Sequence, residues 1–156
     1  HAKDLLEKID HRKIIITENE PFNTRKQDEE EIKNSITSHP KFQTLIHKIE
    51  VFEKNQDFLR KNITLDSLSK EFDTNRDYLS KLINELKGKN FTQYLNELRI
   101  NYIVSELKTN EKMRKYTIAA ISEEIGFNNS ETFTNAFKKI TGTLPSYYIK
   151  LLNEEN

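Results

Sequence analysis

The sequence predicts an all-α fold in which two pairs of short helices are joined by one long helix. Three observations carry that prediction. Apolar residues recur at steps of three and four along most of the chain after residue 41, the spacing of a helix face. Cap residues and glycines bracket these segments at short intervals. The 156 residues include 3 Gly and 3 Pro, too few for the tight turns of a sheet protein. Hydrophobic residues make up 35% and charged residues 32%, which suits helices with solvated outer faces around a modest core.

Residues 1–40 are weakly patterned. They hold the apolar run Ile14-Ile15-Ile16, Pro21, the acidic run Asp28-Glu29-Glu30-Glu31 and all but one of the four histidines. Such composition reads as a linker or the remnant of an upstream region, helical around 4–9 and 29–36, with a docking segment as the alternative. From 41 to 56 the character changes: Phe42, Leu45, Ile46, Ile49 and Phe52 mark one face of an amphipathic helix leading into a domain that fills 57–156.

The first helix pair spans 64–87. Thr64 is a natural N-cap, and Leu65, Leu68 and Phe72 form a buried stripe about two turns long. Asp73-Thr74-Asn75 breaks the helix and Asn75 caps its successor, whose apolar face is Tyr78, Leu79, Leu82, Ile83 and Leu86 and whose end is Gly88. A connector helix over 91–108, of about 17 residues and so about 25 Å, follows. Its apolar residues, Tyr94, Leu95, Leu98, Tyr102, Ile103 and Leu107, spread widely around it, as expected of a helix contacted from two sides. A basic loop holds Lys112, Arg114 and Lys115. The second pair, over 117–141, repeats the plan: Thr117 caps the stretch Ile118 to Ile125, Gly126 ends it, Asn128-Asn129-Ser130 recap, and Phe133, Phe137 and Ile140 face inward before Gly142. Pro145 starts a closing helix over 145–152, in which Tyr147, Tyr148, Leu151 and Leu152 close the bundle.

Several function classes have nothing to work with. The absence of Cys removes disulfides, thiolate nucleophiles and Cys-containing zinc sites, and is compatible with a reducing compartment. Gly88, Gly126 and Gly142 stand too far apart to make a phosphate loop. No His follows His47, so a Ser-His-Asp grouping within the folded domain is excluded, and the carboxylates sit where pairing with Lys at i,i+4 explains them. An enzyme is not expected, nor any cofactor, metal or small-molecule site. No apolar run approaches the roughly 20 residues of a membrane helix. The first residue is His1, not Met, which reads as a piece of something longer.

A short helix, a tight turn and a second helix with a polar outer face form the helix-turn-helix plan, in which the second helix projects side chains into a DNA major groove. Any bundle contains helix pairs, but two such units joined by a stiff helix are more specific. In 117–150 the residues themselves become specific. The run Ile118-Ala119-Ala120-Ile121-Ser122-Glu123-Glu124-Ile125-Gly126-Phe127, then Ser130, Phe133, Phe137-Lys138-Lys139, Gly142, Pro145 and Tyr148, resembles the signature of AraC-type transcription regulators. Upstream, Leu65-Asp66-Ser67-Leu68-Ser69, the corner Gly88-Lys89-Asn90-Phe91 and Tyr94-Leu95-Asn96-Glu97-Leu98-Arg99-Ile100 are similar to it too, so the resemblance covers about 63–152. Two positions depart from it: Ile149 and Lys150 stand where an Arg usually follows the Tyr, and Ile103 stands where a small residue is common. The resemblance implies a C-terminal DNA-binding domain of a bacterial regulator with two helix-turn-helix units. It also implies an upstream sensory or oligomerisation region, and in similar proteins a membrane span can lie there; the domain itself is expected in the cytoplasm.

Base edges are read by hydrogen bonds and phosphates are held by charge, so the candidates are the polar residues on the outer face of each second helix. In the first unit these are Arg76, Asp77, Ser80, Lys81 and Asn84. Lys81 and Arg76 suit guanine O6/N7 or a phosphate, whereas Asp77 suits a cytosine amino group or simply the helix N-terminus. In the second they are Glu131, Thr132 and Asn135, the last suited to a bidentate contact with adenine, with Lys138 and Lys139 outward as phosphate candidates. Thr117, Ser122, Asn128, Asn129 and Ser130 add hydroxyl, amide and helix N-terminal contacts to phosphate, and Lys112, Arg114 and Lys115 either contact phosphate or form a solvated loop.

The partner expected is double-stranded DNA, with the two second helices in successive major-groove segments about 34 Å apart. The competing reading is a helical adaptor that binds protein, which the zero net charge favours mildly. By region, however, 1–56 carries 10 basic and 11 acidic residues while 57–152 carries 15 and 12, so the candidate domain is mildly basic. At that charge the non-specific electrostatic term is modest, and binding must rest on base and shape readout or on a second copy held nearby.

Overall fold

The computed structural model describes residues 40–155, so the helices expected around 4–9 and 29–36 lie outside the described residues. Those described form eight α-helices and one 3-10 turn: α1 (Pro40–Lys54), the turn Asp57–Leu59, α2 (Leu65–Glu71), α3 (Arg76–Lys87), α4 (Phe91–Thr109), α5 (Glu111–Arg114), α6 (Ile118–Glu124), α7 (Ser130–Thr141) and α8 (Pro145–Glu155). The chain divides into two compact units, the boundary falling inside α4 between Leu95 and Asn96. No described helix is long and apolar enough to cross a membrane.

In the first unit, α1 is an integral part of the core. Leu45, Ile49 and Phe52 are buried, and the Phe52 ring meets Phe58 and Phe72 edge-on at 6.4 and 6.1 Å. Polar contacts then fix its position. Lys48 Nζ donates to the Phe72 carbonyl at 2.8 Å, satisfying the end of α2. The Glu53 carboxylate accepts from the Tyr94 hydroxyl at 2.6 Å and from Lys87 Nζ at 3.0 Å, tying α1 to the end of α3 and the start of α4. Burial, reinforced by this acceptor, holds the Tyr94 phenol well above its ordinary pKa.

The second unit is built on a chain of rings. Phe127, Phe133, Phe137 and Tyr148 follow one another at 5.6, 5.8 and 5.7 Å between centroids. From α4 it takes Arg99, Ile100, Ile103, Val104 and Leu107, all buried. The Arg99 guanidinium lies over the Phe127 ring at 5.4 Å, and burial pulls its pKa down to about 10. Ile149 and Ile103, the two departures from the family pattern, are both interior. Tyr148 is fully buried while Tyr147, also expected to close the bundle, is exposed. One helical position separates them, so they cannot share a face. For the same reason Leu98 and Tyr102 are only half-buried: the buried stripe of this part of α4 runs through Ile100 and Val104 instead.

The two helix pairs share one turn design. Thr64 and Thr117 cap α2 and α6 by accepting from Ser67 and Ala120 N–H groups. At the other end Thr74 N–H donates to Ser69 C=O at 2.9 Å and Phe127 N–H to Ser122 C=O at 3.0 Å, the six-to-one bond of a Schellman turn. The left-handed residue this requires is Gly126 (φ 92°) in the second unit but Asp73 (φ 56°) in the first. The second turn is one residue longer, its cap being Asn129 where the first has Asn75.

Replacing Gly126 with Ala places a side chain in a left-handed conformation and lowers unfolding free energy by about 1 kcal/mol, whereas Asp73→Gly raises it by up to about 1 kcal/mol; urea unfolding of both variants measures this. Above pH 10 the unfolded chain releases the Tyr94 proton while the folded chain keeps it, so this contribution to stability is full below the ordinary tyrosine pKa and is lost as pH rises beyond it. Arg99, with its folded pKa lowered to about 10, acts in the opposite sense above that pH, where the folded chain gives up a proton that the unfolded chain keeps. Comparing Tyr94→Phe with the parent isolates the tyrosine effect, and the variant should lose less stability between pH 9 and 11.

Candidate nucleic-acid interface

Each second helix is held in rotation by a fully buried stripe: Leu79, Leu82 and Ile83 on α3, Phe133 and Phe137 on α7. The opposite faces are therefore solvated. On α3, Asp77, Lys81 and Asn84 point away from the core with Arg76 and the half-buried Ser80 on one flank. On α7, Glu131, Asn135 and Lys138 do the same, with Thr132 and Lys139 on a flank. Counted from the caps Asn75 and Asn129, the two outward triplets occupy equivalent positions, each opening with an acid in the first turn, where the helix dipole favours it. An open groove of about 580 Å³ runs along the first pair, lined by Asp66, Ser69 and Lys70 of α2 and Arg76, Asp77 and Ser80 of α3.

Among the phosphate candidates the structure separates roles. Asn129 Oδ1 accepts from Thr132 N–H and from its hydroxyl, both at 2.8 Å, so that oxygen is committed to the cap. The Thr117 hydroxyl likewise accepts a cap bond but keeps its proton for donation. Asn128, Ser130, Lys138 and Lys139 are exposed.

Three expectations are corrected. Ser122 is 1% exposed and donates to the Asn129 carbonyl at 3.0 Å, pinning the turn; it is internal, not a phosphate contact. The segment expected as a basic loop is the short helix α5, capped by Asn110. Its Arg114 side chain is 4% exposed and donates to the Leu107 carbonyl at 3.0 Å, closing the end of α4, with Glu111 at 3.5 Å. That leaves Lys112 and Lys115 as the exposed bases there. Tyr78, expected on the apolar face of α3, is 43% exposed, because its position falls on the flank of the helix. Sequence reading had no signal for Arg114: its partners are backbone carbonyls, which no residue pattern announces. Thr134, half-buried beside Asn135 on α7, also borders this face.

Two capped helix pairs, each presenting a solvated second helix with hydrogen-bonding and basic side chains, define a helix-turn-helix DNA-binding domain. Residues 68–150, more than half the chain, match the family described as helix-turn-helix domain. The chain belongs to that family, in its AraC-type branch. It is similar to the uncharacterized transcriptional regulatory protein YesN of Bacillus subtilis, at 37% identity over 47% of this chain and 20% of the relative. It also resembles the TCP pilus virulence regulatory protein of Vibrio cholerae, at 34% identity over 53% of this chain and 28% of the relative. Among solved structures, the C-terminal domain of the two-component response regulator yesN from Fusobacterium nucleatum superposes with a TM-score of 0.56 at 25% identity, covering 66% of this chain and 98% of that one. The chain spans about a fifth of the length of the Bacillus relative. The matches are to helix-turn-helix domains of transcription regulators, and the adaptor reading is not favoured.

Arg114→Ala should destabilise the second unit by about 1–3 kcal/mol, since it strips a buried donor from carbonyls at the end of α4. Lys112→Ala and Lys115→Ala should leave thermal unfolding unchanged. A melting series of the three variants separates the structural arginine from the surface lysines.

Proposed function

We propose that this domain reads duplex DNA with two recognition helices, α3 and α7, each entering its own major-groove segment, without catalytic chemistry of its own. The observation that supports this most is the pair of outward triplets, Asp77, Lys81, Asn84 and Glu131, Asn135, Lys138, placed equivalently after capped helix starts. Lys81 and Asn135 carry base readout, to guanine and adenine respectively, because a long ammonium and a planar amide match the acceptor and donor patterns of those bases. Arg76, Ser80 and Thr132 flank them. Thr117, Asn128, Asn129, Ser130, Lys138 and Lys139 hold phosphates, joined by Lys112 and Lys115.

The mildly basic balance of residues 57–152, 15 basic against 12 acidic, favours recognition that depends on base and shape readout rather than on charge alone. Control by an upstream sensory or oligomerisation region is part of the same proposal, supported by the greater length of the relatives.

Selection from random duplexes should recover a motif of two half-elements. Against that motif, Lys81→Ala should relax base preference in one half and Asn135→Ala in the other, each at a cost of about 1–3 kcal/mol. Uniform weakening on all sequences would instead make both residues phosphate contacts.

A further inference from the structure

The first turn of α1 sits against the recognition helix of its own unit. The Phe42 ring packs edge-on to Tyr78 at 6.0 Å, and Lys41 Nζ lies 5.3 Å from the centre of the same ring. Tyr78 lies on α3 between Asp77 and Lys81, and three positions separate it from Lys81, so the two share a flank. Tyr78 is the one α3 position where an apolar ring is left facing solvent among Leu79, Leu82 and Ile83, which are fully buried. The ring therefore acts as a platform that holds an exposed ammonium beside the outward face of α3. Its other flank, with Arg76 and Ser80, borders α2 across the open groove.

A helix lying in a major groove about 12 Å wide has a phosphate wall on each side. On the α2 side Arg76 and Lys70 are at hand. On the Tyr78 side Lys41 Nζ is held over the ring, a cation–π contact that leaves ammonium protons on the side away from the ring to donate. We infer that Lys41, presented by Tyr78, is a phosphate contact of the first recognition unit, so that α1 is part of the DNA interface as well as of the core. This rests on the reading of α3 as a DNA-recognition helix and adds a residue outside the helix-turn-helix motif to it.

The test measures affinity of the 156-residue chain for a selected duplex and for a scrambled duplex between 50 and 200 mM salt, in the parent, Lys41→Gln and Lys41→Arg. One phosphate contact contributes about 0.9 to the slope of log K against log salt. Lys41→Gln should therefore lose about threefold less affinity than the parent over that salt range, equally on both duplexes, and Lys41→Arg should restore the parent slope. An unchanged slope in Lys41→Gln, or a change seen on the selected duplex alone, overturns the inference. The two failures are distinguishable. A parent that binds neither duplex at low salt removes the DNA reading and the inference together, whereas a parent with a steep slope that Lys41→Gln leaves intact removes the Lys41 contact alone. Matching far-UV circular dichroism and melting curves establish that the variants are folded.

Discussion

Complete burial of one stripe on each recognition helix is the constraint on which the rest depends. Leu79, Leu82 and Ile83 have no exposed surface, nor do Phe133 and Phe137. A helix has one rotational degree of freedom about its axis, and burying such a stripe removes it. Asp77, Lys81 and Asn84 on α3, and Glu131, Asn135 and Lys138 on α7, face outward as a geometric consequence. Their chemistry can be varied without touching the core, which is how one fold serves many sequences of DNA.

The turns serve the same end by another route. A second helix can present its first residues only if its orphan N–H groups are satisfied locally. Asn75 and Asn129 do this with side-chain oxygens, leaving the neighbouring polar residues outward. The left-handed residue before each cap redirects the chain, and Ser122 bonds across the second turn to fix it. That Asp73 fills the place Gly126 fills shows that the turn geometry is imposed by the surrounding bonds, with glycine as the unstrained choice.

The role of α1 changes the meaning of the region before the helix-turn-helix motif. Glu53 joins Tyr94 and Lys87, Lys48 closes the end of α2, and Phe52 completes a cluster with Phe58 and Phe72. A helix that precedes the helix-turn-helix motif in sequence is thus bonded to three other elements of the first unit. Displacement of α1 would disturb α3 directly through Phe42 and Tyr78 as well as through the core.

The sequence by itself determined the helices other than α5, their caps and the outward sets on α3 and α7. These depend on interactions within a few residues: periodic apolar positions, Thr and Asn oxygens reaching N–H groups three places on, and glycines at helix ends. The paired units and the family were legible for the same reason, because short spaced motifs carry them. Only the tertiary structure decided the places of Arg114, Ser122 and Lys41. Each depends on what lies opposite in space: a carbonyl at the end of α4, the backbone of Asn129, the flank of a helix reached from another element. A basic residue in a polar stretch has the same sequence whether it faces phosphate or plugs a helix end. Burial and hydrogen-bond partners distinguish the two, and these exist only once the chain is folded.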